Sequence, residues 1–226
     1  AAMMEMAGLA QKGGAVHIHL RIAEKPDDIS AVRVATGEAD ALIGGDLVVS
    51  AGAKTLGLTR AGRTGAVVNS HEIITGDFTR NTEFALPIDA LKLALEARIK
   101  DRLAMFDASD LAKATMGDSI FSNMMILGAA WQMGLVPLSH DAIAAAVELN
   151  GAAVQRNLRA FEIGRWAVLH PQDAARLLEP VVVDKPKSLD EKIAFRADHL
   201  VKYQDEALAD KYRARMKDIA DPRLKE

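Results

Sequence analysis

Two short apolar runs, Gly65-Ala66-Val67-Val68-Asn69 and Ala104-Met105-Phe106-Asp107-Ala108, stand on either side of Ile88 to Ile99, where Leu91, Leu95 and Ile99 recur at helical spacing. That order constrains the fold more than any other feature, because strands joined by a helix of this length pair in parallel through right-handed crossovers. Ala41-Leu42-Ile43 and Asp46-Leu47-Val48-Val49 are further runs of the buried-strand type, and Ala15-Val16-His17-Ile18-His19-Leu20-Arg21-Ile22 alternates with a period of two. From Ser109 onward the pattern turns helical. Ser119 is read as the cap of a helix bearing Ile120, Met124, Leu127 and Trp131 that stops at Gly134. A second helix runs from Asp141 to Leu149 and ends at Asn150-Gly151, and a third presents Val154, Leu158, Phe161, Arg165 and Val168 before Pro171. The expected class is α/β: a Rossmann-like, mostly parallel sheet flanked by helices, followed by a helical cluster and a charged helical tail.

The tail differs in composition from what precedes it. Residues 184–226 carry 21 charged side chains, 11 basic and 10 acidic, yet Leu189, Ile193, Leu200, Tyr203, Leu208, Tyr212, Met216 and Ile219 keep helical spacings among them. This predicts one long helix or two with a single apolar stripe, in an extension (184–226) separate from the domain at 1–183. The stripe must be covered by the preceding domain, by a second copy in a homodimer, or by a following domain. Over the whole chain 28 Lys and Arg face 31 Asp and Glu, so no basic excess favours nucleic acid. The longest apolar stretch, Ala41 to Ala53, contains Asp46 and is too short for a membrane span. Without a readable signal peptide the expected compartment is the cytoplasm. Met3, Met4, Met6 and Leu9 read as the end of an apolar element already under way, which suggests a segment cut from something longer. Cysteine is absent, so a thiol nucleophile or a thiolate-ligated iron-sulfur cluster has no ligands in these residues.

Several constellations could carry chemistry. Gln11-Lys12-Gly13-Gly14 can turn backbone N–H groups toward an anion beside an ammonium, but no helix start follows, so a tight structural turn explains it as well. His17, His19 and Arg21 share one face of a strand; they are either hydrogen-bonded strand residues or an anion contact, and no third metal ligand lies at short range. Gly117-Asp118-Ser119 with Asn123 is a helix cap or a polar site. His71-Glu72 follows a strand at the kind of edge where open α/β sheets collect ligands, and by residue type could act as acid and base. No self-contained catalytic or metal-binding set emerges.

The word order adds a resemblance. Gly8-Leu9-Ala10-Gln11-Lys12-Gly13-Gly14-Ala15-Val16, then Arg21-Ile22-Ala23, then Gly37-Glu38-Ala39-Asp40 before Gly44-Gly45-Asp46-Leu47-Val48-Val49, resembles the gamma-type domain of the 2-oxoacid:ferredoxin oxidoreductases. Gly76-Asp77-Phe78-Thr79-Arg80-Asn81, Gly117-Asp118-Ser119, Asn123-Met124, Leu127-Gly128 and Glu148-Leu149-Asn150-Gly151 are similar to the large fused indolepyruvate ferredoxin oxidoreductases. The family's domain opens with a strand and a Gly-x-Gly-Gly-x-Gly turn, neither of which is present; Ala1 falls just downstream, in what would be the following helical stretch.

The resemblance implies oxidative decarboxylation of an aryl 2-oxoacid with coenzyme A, giving acyl-CoA, carbon dioxide and reduced ferredoxin. It also implies thiamine diphosphate and 4Fe-4S clusters held mainly by other domains, so that this segment alone is inert. Its implied partners are the thiamine-binding and ferredoxin-type domains of the same enzyme, with ferredoxin as acceptor. Lys12, Gly13, Gly14 and Arg21 are the residues it nominates for contact with coenzyme A, substrate or a neighbouring domain, and it nominates no catalytic residue. A stand-alone α/β module that captures an anionic metabolite, or a purely structural assembly domain, is the alternative.

Overall fold

The computed structural model describes residues 1–7, 16–71, 87–179 and 188–219. The chain divides into two compact units, 1–179 and 180–226. In the first unit, β1 (Ala2–Ala7) and β2 (Val16–Arg21) form an antiparallel pair of their own. β3 (Ala41–Gly44), α1 (Leu47–Ser50), α2 (Ala53–Leu58), β4 (Gly65–Asn69), α3 (Ile88–Ile99) and β5 (Leu103–Phe106) follow. The three later strands form a parallel sheet in the order β3-β4-β5. α4 (Ala108–Met116), α5 (Ser122–Gln132), α6 (His140–Asn150), α7 (Val154–Leu169) and α8 (Pro171–Arg176) complete the unit, and α9 (Leu189–Tyr203) and α10 (Glu206–Asp218) make up the second.

β4 explains the layering. All five of its residues are buried, as the continuous apolar run at 65–69 requires of a central parallel strand. Successive side chains take opposite faces. Ala66 and Val68 join Leu47, Leu95 and Ile99 on one side, whereas Val67 joins Leu111, Met125, Ile126, Ala129 and Ala160 on the other. Helices therefore cover both faces of the sheet.

Several local expectations are corrected. Asp46-Leu47-Val48-Val49 begins a helix rather than forming a strand: the Asp46 carboxylate accepts from the Val49 N–H at 2.8 Å, and Ser50 Oγ donates to the Asp46 carbonyl. The cap outweighs the β-branched pair. At the end of β5 the strand stops at Phe106, and Ala108 already belongs to α4, which Asp107 caps. Ser119 does not cap a helix. Asp118 caps a 3-10 turn at Ser119–Phe121, and α5 starts only at Ser122. The tighter turn shifts the helical phase, so Ile120 is exposed and the buried stripe is Met125, Ile126, Gly128, Ala129 and Ala130. The methionine-rich start of the chain is β1 rather than a helical stretch, because pairing with β2 from Ala2↔Arg21 to Ala7↔Val16 satisfies its backbone.

In the second unit the tail is two helices that pack on each other. The capping box of Ser188 and Glu191 starts α9, and Asp205 caps α10. Ala197 and Ala209 are buried, Leu200, Leu208 and Tyr212 are half-buried, and Tyr203 points out. The helical hairpin thus covers much of its own stripe, which a single helix could not do.

The closest packing in the first unit is between α5 and α7. A Cβ at Gly128 would be driven onto the Phe161 carbonyl, and one at Gly164 onto the Met125 carbonyl. Neither obstacle is a flexible side chain, so the helices can meet this closely only if both positions lack a Cβ. Gly128→Ala or Gly164→Ala should each destabilise the fold by about 1–3 kcal/mol, the usual range for overpacking a core. Urea unfolding followed by circular dichroism checks this; an unchanged midpoint for both variants would show that the crossing is loose.

Candidate functional site

The carboxyl ends of the three parallel strands bring together residues that are distant in sequence, and Asn69 is the centre of that edge. Register places Asn69 beside Phe106 at the last rung of the β4–β5 ladder, and Ser70 N–H donates to the Phe106 carbonyl at 2.9 Å. The Asn69 amide is buried and fully used. Its Nδ2 donates to the Gly45 carbonyl (3.1 Å) and to Ser109 Oγ (3.0 Å), and its Oδ1 accepts from Ala108 N–H (3.0 Å) and His71 N–H (3.2 Å). One side chain therefore ties together the turns that follow all three strands.

The same tie sets His71 against Asp107. His71 Nδ1 lies 3.0 Å from Asp107 Oδ2 and 4.0 Å from Asp110 Oδ1. Asp107 Oδ1 accepts from the Asp110 N–H at 2.7 Å, so this carboxylate caps α4 and orients the imidazole at once. The Lys113 ammonium bonds Asp110 at 2.9 Å, holding that carboxyl below its usual range, and Asp110 raises Lys113 in return. An imidazole fixed at Nδ1 by a carboxylate can exchange a proton at Nε2, the arrangement that general acid–base chemistry requires. His71, Asp107 and Asp110 also offer ligand atoms within 4.8 Å of one another. Both carboxylates are already engaged, one in the cap and one with Lys113.

The sequence singled out His71 but paired it with Glu72, which lies outside the described residues; the partner found is Asp107. Asn69, Asp107 and Ser109 went unremarked as site residues. The available signal was position: all three follow or end a buried strand, and polar residues there meet at the carboxyl edge of a parallel sheet. Lys12, Gly13 and Gly14 also lie outside the described residues. Asp118 does cap, while Gly117 closes α4 in the left-handed conformation.

Arg21 and the two strand histidines are buttresses for the β1–β2 hairpin. Arg21 Nη2 donates to the Arg33 carbonyl (3.0 Å) and to Glu38 Oε2 (2.5 Å). Glu38 also accepts from the Ala35 N–H (3.0 Å), and these two bonds, the backbone one foremost, keep its carboxyl below the ordinary range. Thr55 Oγ1 donates its one hydrogen to the Val49 carbonyl at 2.7 Å, so at 3.1 Å from His17 it accepts, and His17 Nε2 carries the proton. Val34 N–H donates to His19 Nδ1 at 2.9 Å, which requires that nitrogen to be unprotonated. Burial, then the charges of Arg33, His17 and Arg21, lower the pKa of His19.

Fold and site together define an α/β domain with a polar carboxyl edge. It has no thiolate in its sequence with which to hold a redox cluster. The chain belongs to the pyruvate ferredoxin/flavodoxin oxidoreductase family, whose model matches residues 1–167. No curated protein and no solved structure matches it. Family members are in general thiamine-dependent oxidoreductases that also use iron-sulfur clusters. Neither group fits the described residues. A cluster lacks its cysteines, and a diphosphate at the carboxyl edge would meet Asp107 and Asp110, with the Lys113 ammonium already bound to Asp110. Among the described residues no helix is long and apolar enough to cross a membrane.

Two measurements test this geometry. Asn69→Leu strands the buried Ala108 N–H and the buried Ser109 hydroxyl, and each buried unpaired group costs about 1–3 kcal/mol, so a marked loss in urea stability is expected; a stability equal to the parent would mean that the amide is dispensable. For His19 the folded-state pKa lies below its ordinary value near 6.5. Its contribution is therefore complete above that value and is lost as pH falls through the lowered one. The protection of the Val34 amide, taken relative to the intrinsic exchange rate at each pH, should fall on acidification from pH 7.5 to 5, and His19→Asn, which keeps an acceptor but no titration, should flatten that dependence. An equal fall in protection in the variant would place the acid sensitivity elsewhere.

Proposed function

We propose that this chain is the assembly domain of an oxidoreductase that decarboxylates an aryl 2-oxoacid of the indolepyruvate type. In that reaction the C1–C2 bond breaks, carbon dioxide leaves, the acyl group passes to the sulfur of coenzyme A, and the electron pair goes to ferredoxin by way of iron-sulfur clusters. The observation that carries the reading is the family match over residues 1–167 in a chain with no cysteine: a domain of a ferredoxin-reducing enzyme that cannot ligate a cluster contributes by packing and by shaping the path to the reaction centre. Thiamine diphosphate, when bound by the enzyme's other domains, supplies the carbanion-stabilising chemistry. Lys12, Gly13 and Gly14, between β1 and β2 in the sequence, are the residues proposed to meet coenzyme A or the neighbouring domain, with Arg21 bracing the strand that follows them. The cytoplasm is the proposed compartment.

The isolated chain supplied with indolepyruvate, coenzyme A, thiamine diphosphate and oxidised ferredoxin should form no acyl-CoA. Joined with the thiamine- and cluster-bearing remainder of its enzyme, it should support turnover of indolepyruvate in preference to pyruvate. Turnover by the chain alone would overturn the assembly reading, and a preference for pyruvate would overturn the aryl assignment.

A further inference from the structure

The β1–β2 hairpin is inside out. Directly opposite residues of an antiparallel pair share a face, so Met4 and Met6 go with His19 and His17, and Ala2 goes with Arg21. This is the face turned toward the rest of the unit, where His17 meets Thr55, His19 meets the Val34 amide and Arg21 meets Glu38 and the Arg33 carbonyl. The opposite face carries Met3, Glu5, Val16, Ile18 and Leu20, with Ile22 one residue beyond the strand. Met3 is 65% exposed, Ile18 58%, Leu20 53%, Val16 51% and Ile22 44%. A strand pair that gives its polar face to the interior and its aliphatic face to solvent is opposite to the usual arrangement, and a two-stranded sheet alone is marginal in water. A contiguous aliphatic patch of this kind marks an interaction surface.

We infer that this face docks the polypeptide segment that carries the thiamine and iron-sulfur centres of the same oxidoreductase, through an aliphatic surface bearing one Lys or Arg opposite Glu5. The inference rests on the assembly reading above and names the surface that performs it. Two observations select the occupant. First, the chain has no cysteine, so its family's electron transfer requires a second, cysteine-bearing body held against it. Second, Glu5 is the one charged side chain among the described residues of the face, and no cation stands beside it among those residues. A second copy docked face to face would bury two carboxylates with no countercharge, and burying an uncompensated charge is costly. A partner bearing a cation meets both the aliphatic ridge and the carboxylate.

The test uses this chain and the cysteine-bearing, thiamine-binding remainder of its oxidoreductase as separately purified polypeptides, with association read by sedimentation. The parent should bind. Ile18→Thr combined with Leu20→Thr, which puts β-branched side chains in the strand and sets no second carboxylate opposite Glu5, should weaken binding by at least about tenfold, as loss of a central apolar anchor does, without shifting the thermal midpoint of the isolated chain, since both side chains are exposed. Glu5→Lys should weaken binding more than Glu5→Gln, and Glu5→Gln should reduce its salt dependence. If the parent binds and the double variant binds equally well, the hairpin face is not the docking surface, although the assembly reading stands. If the parent does not bind at all, the assembly reading itself falls. If the chain alone sediments as a dimer that the double variant dissociates, the face belongs to a second copy and the partner assigned here is wrong.

Discussion

The crossing of α5 and α7 is the contact on which the first unit is built. With Gly128 under the Phe161 carbonyl and Gly164 under the Met125 carbonyl, the two backbones touch directly, and dispersion between closely packed main chains replaces the usual interdigitation of large side chains. Of the other buried positions on the two helices, Ala129, Ala130, Ala160 and Ala167 are small as well, whereas Met125, Ile126 and Phe161 are large. Around the crossing, Trp131 lies near the rings of Phe161 and His140, with the Arg165 guanidinium over its face at 4.7 Å. Arg165 and His140 both hold Glu162. Burial opposes ionisation of that carboxyl, but the two hydrogen bonds outweigh it and keep its pKa below the ordinary value.

This tight layer backs one face of the parallel sheet through Val67, and the sheet register in turn positions the polar edge. Asn69 can reach Gly45, Ala108, Ser109 and the His71 amide only because β3, β4 and β5 end side by side. Asp107 then serves two masters that geometry makes compatible: one oxygen caps α4 and the other orients His71. A buried amide whose donors and acceptors are all used specifies the edge more sharply than apolar packing would, since any shift in register leaves unpaired groups behind.

The hairpin and the carboxyl edge are chemically distinct surfaces of the domain, one aliphatic and one polar. Polar residues that looked available for an anion, His17, His19 and Arg21, hold the hairpin to the body, and the aliphatic residues between them are left facing out. It is on this outward aliphatic sheet of a cysteine-free chain that the proposed docking of another body rests.

The parallel sheet, the helices at 88–99, 140–150 and 154–169, and the helical tail were legible in the residues themselves, because continuous apolar runs and helical spacings are local properties of the chain. So was the family, through strings such as Gln11-Lys12-Gly13-Gly14. Other features depended on distant partners. Whether Leu47-Val48-Val49 became strand or helix was decided by the cap from Asp46, and whether the methionines at 3, 4 and 6 became helix or strand was decided by β2. The helical faces were read from their large side chains, whereas packing selected the small ones, Gly128 and Gly164, because only absent Cβ atoms permit backbone contact. The alternation of residues 15–22 established that the strand has two faces, but which one turns inward was settled only in the folded chain, where Thr55, Val34 and Glu38 supply hydrogen bonds that the aliphatic face could not use.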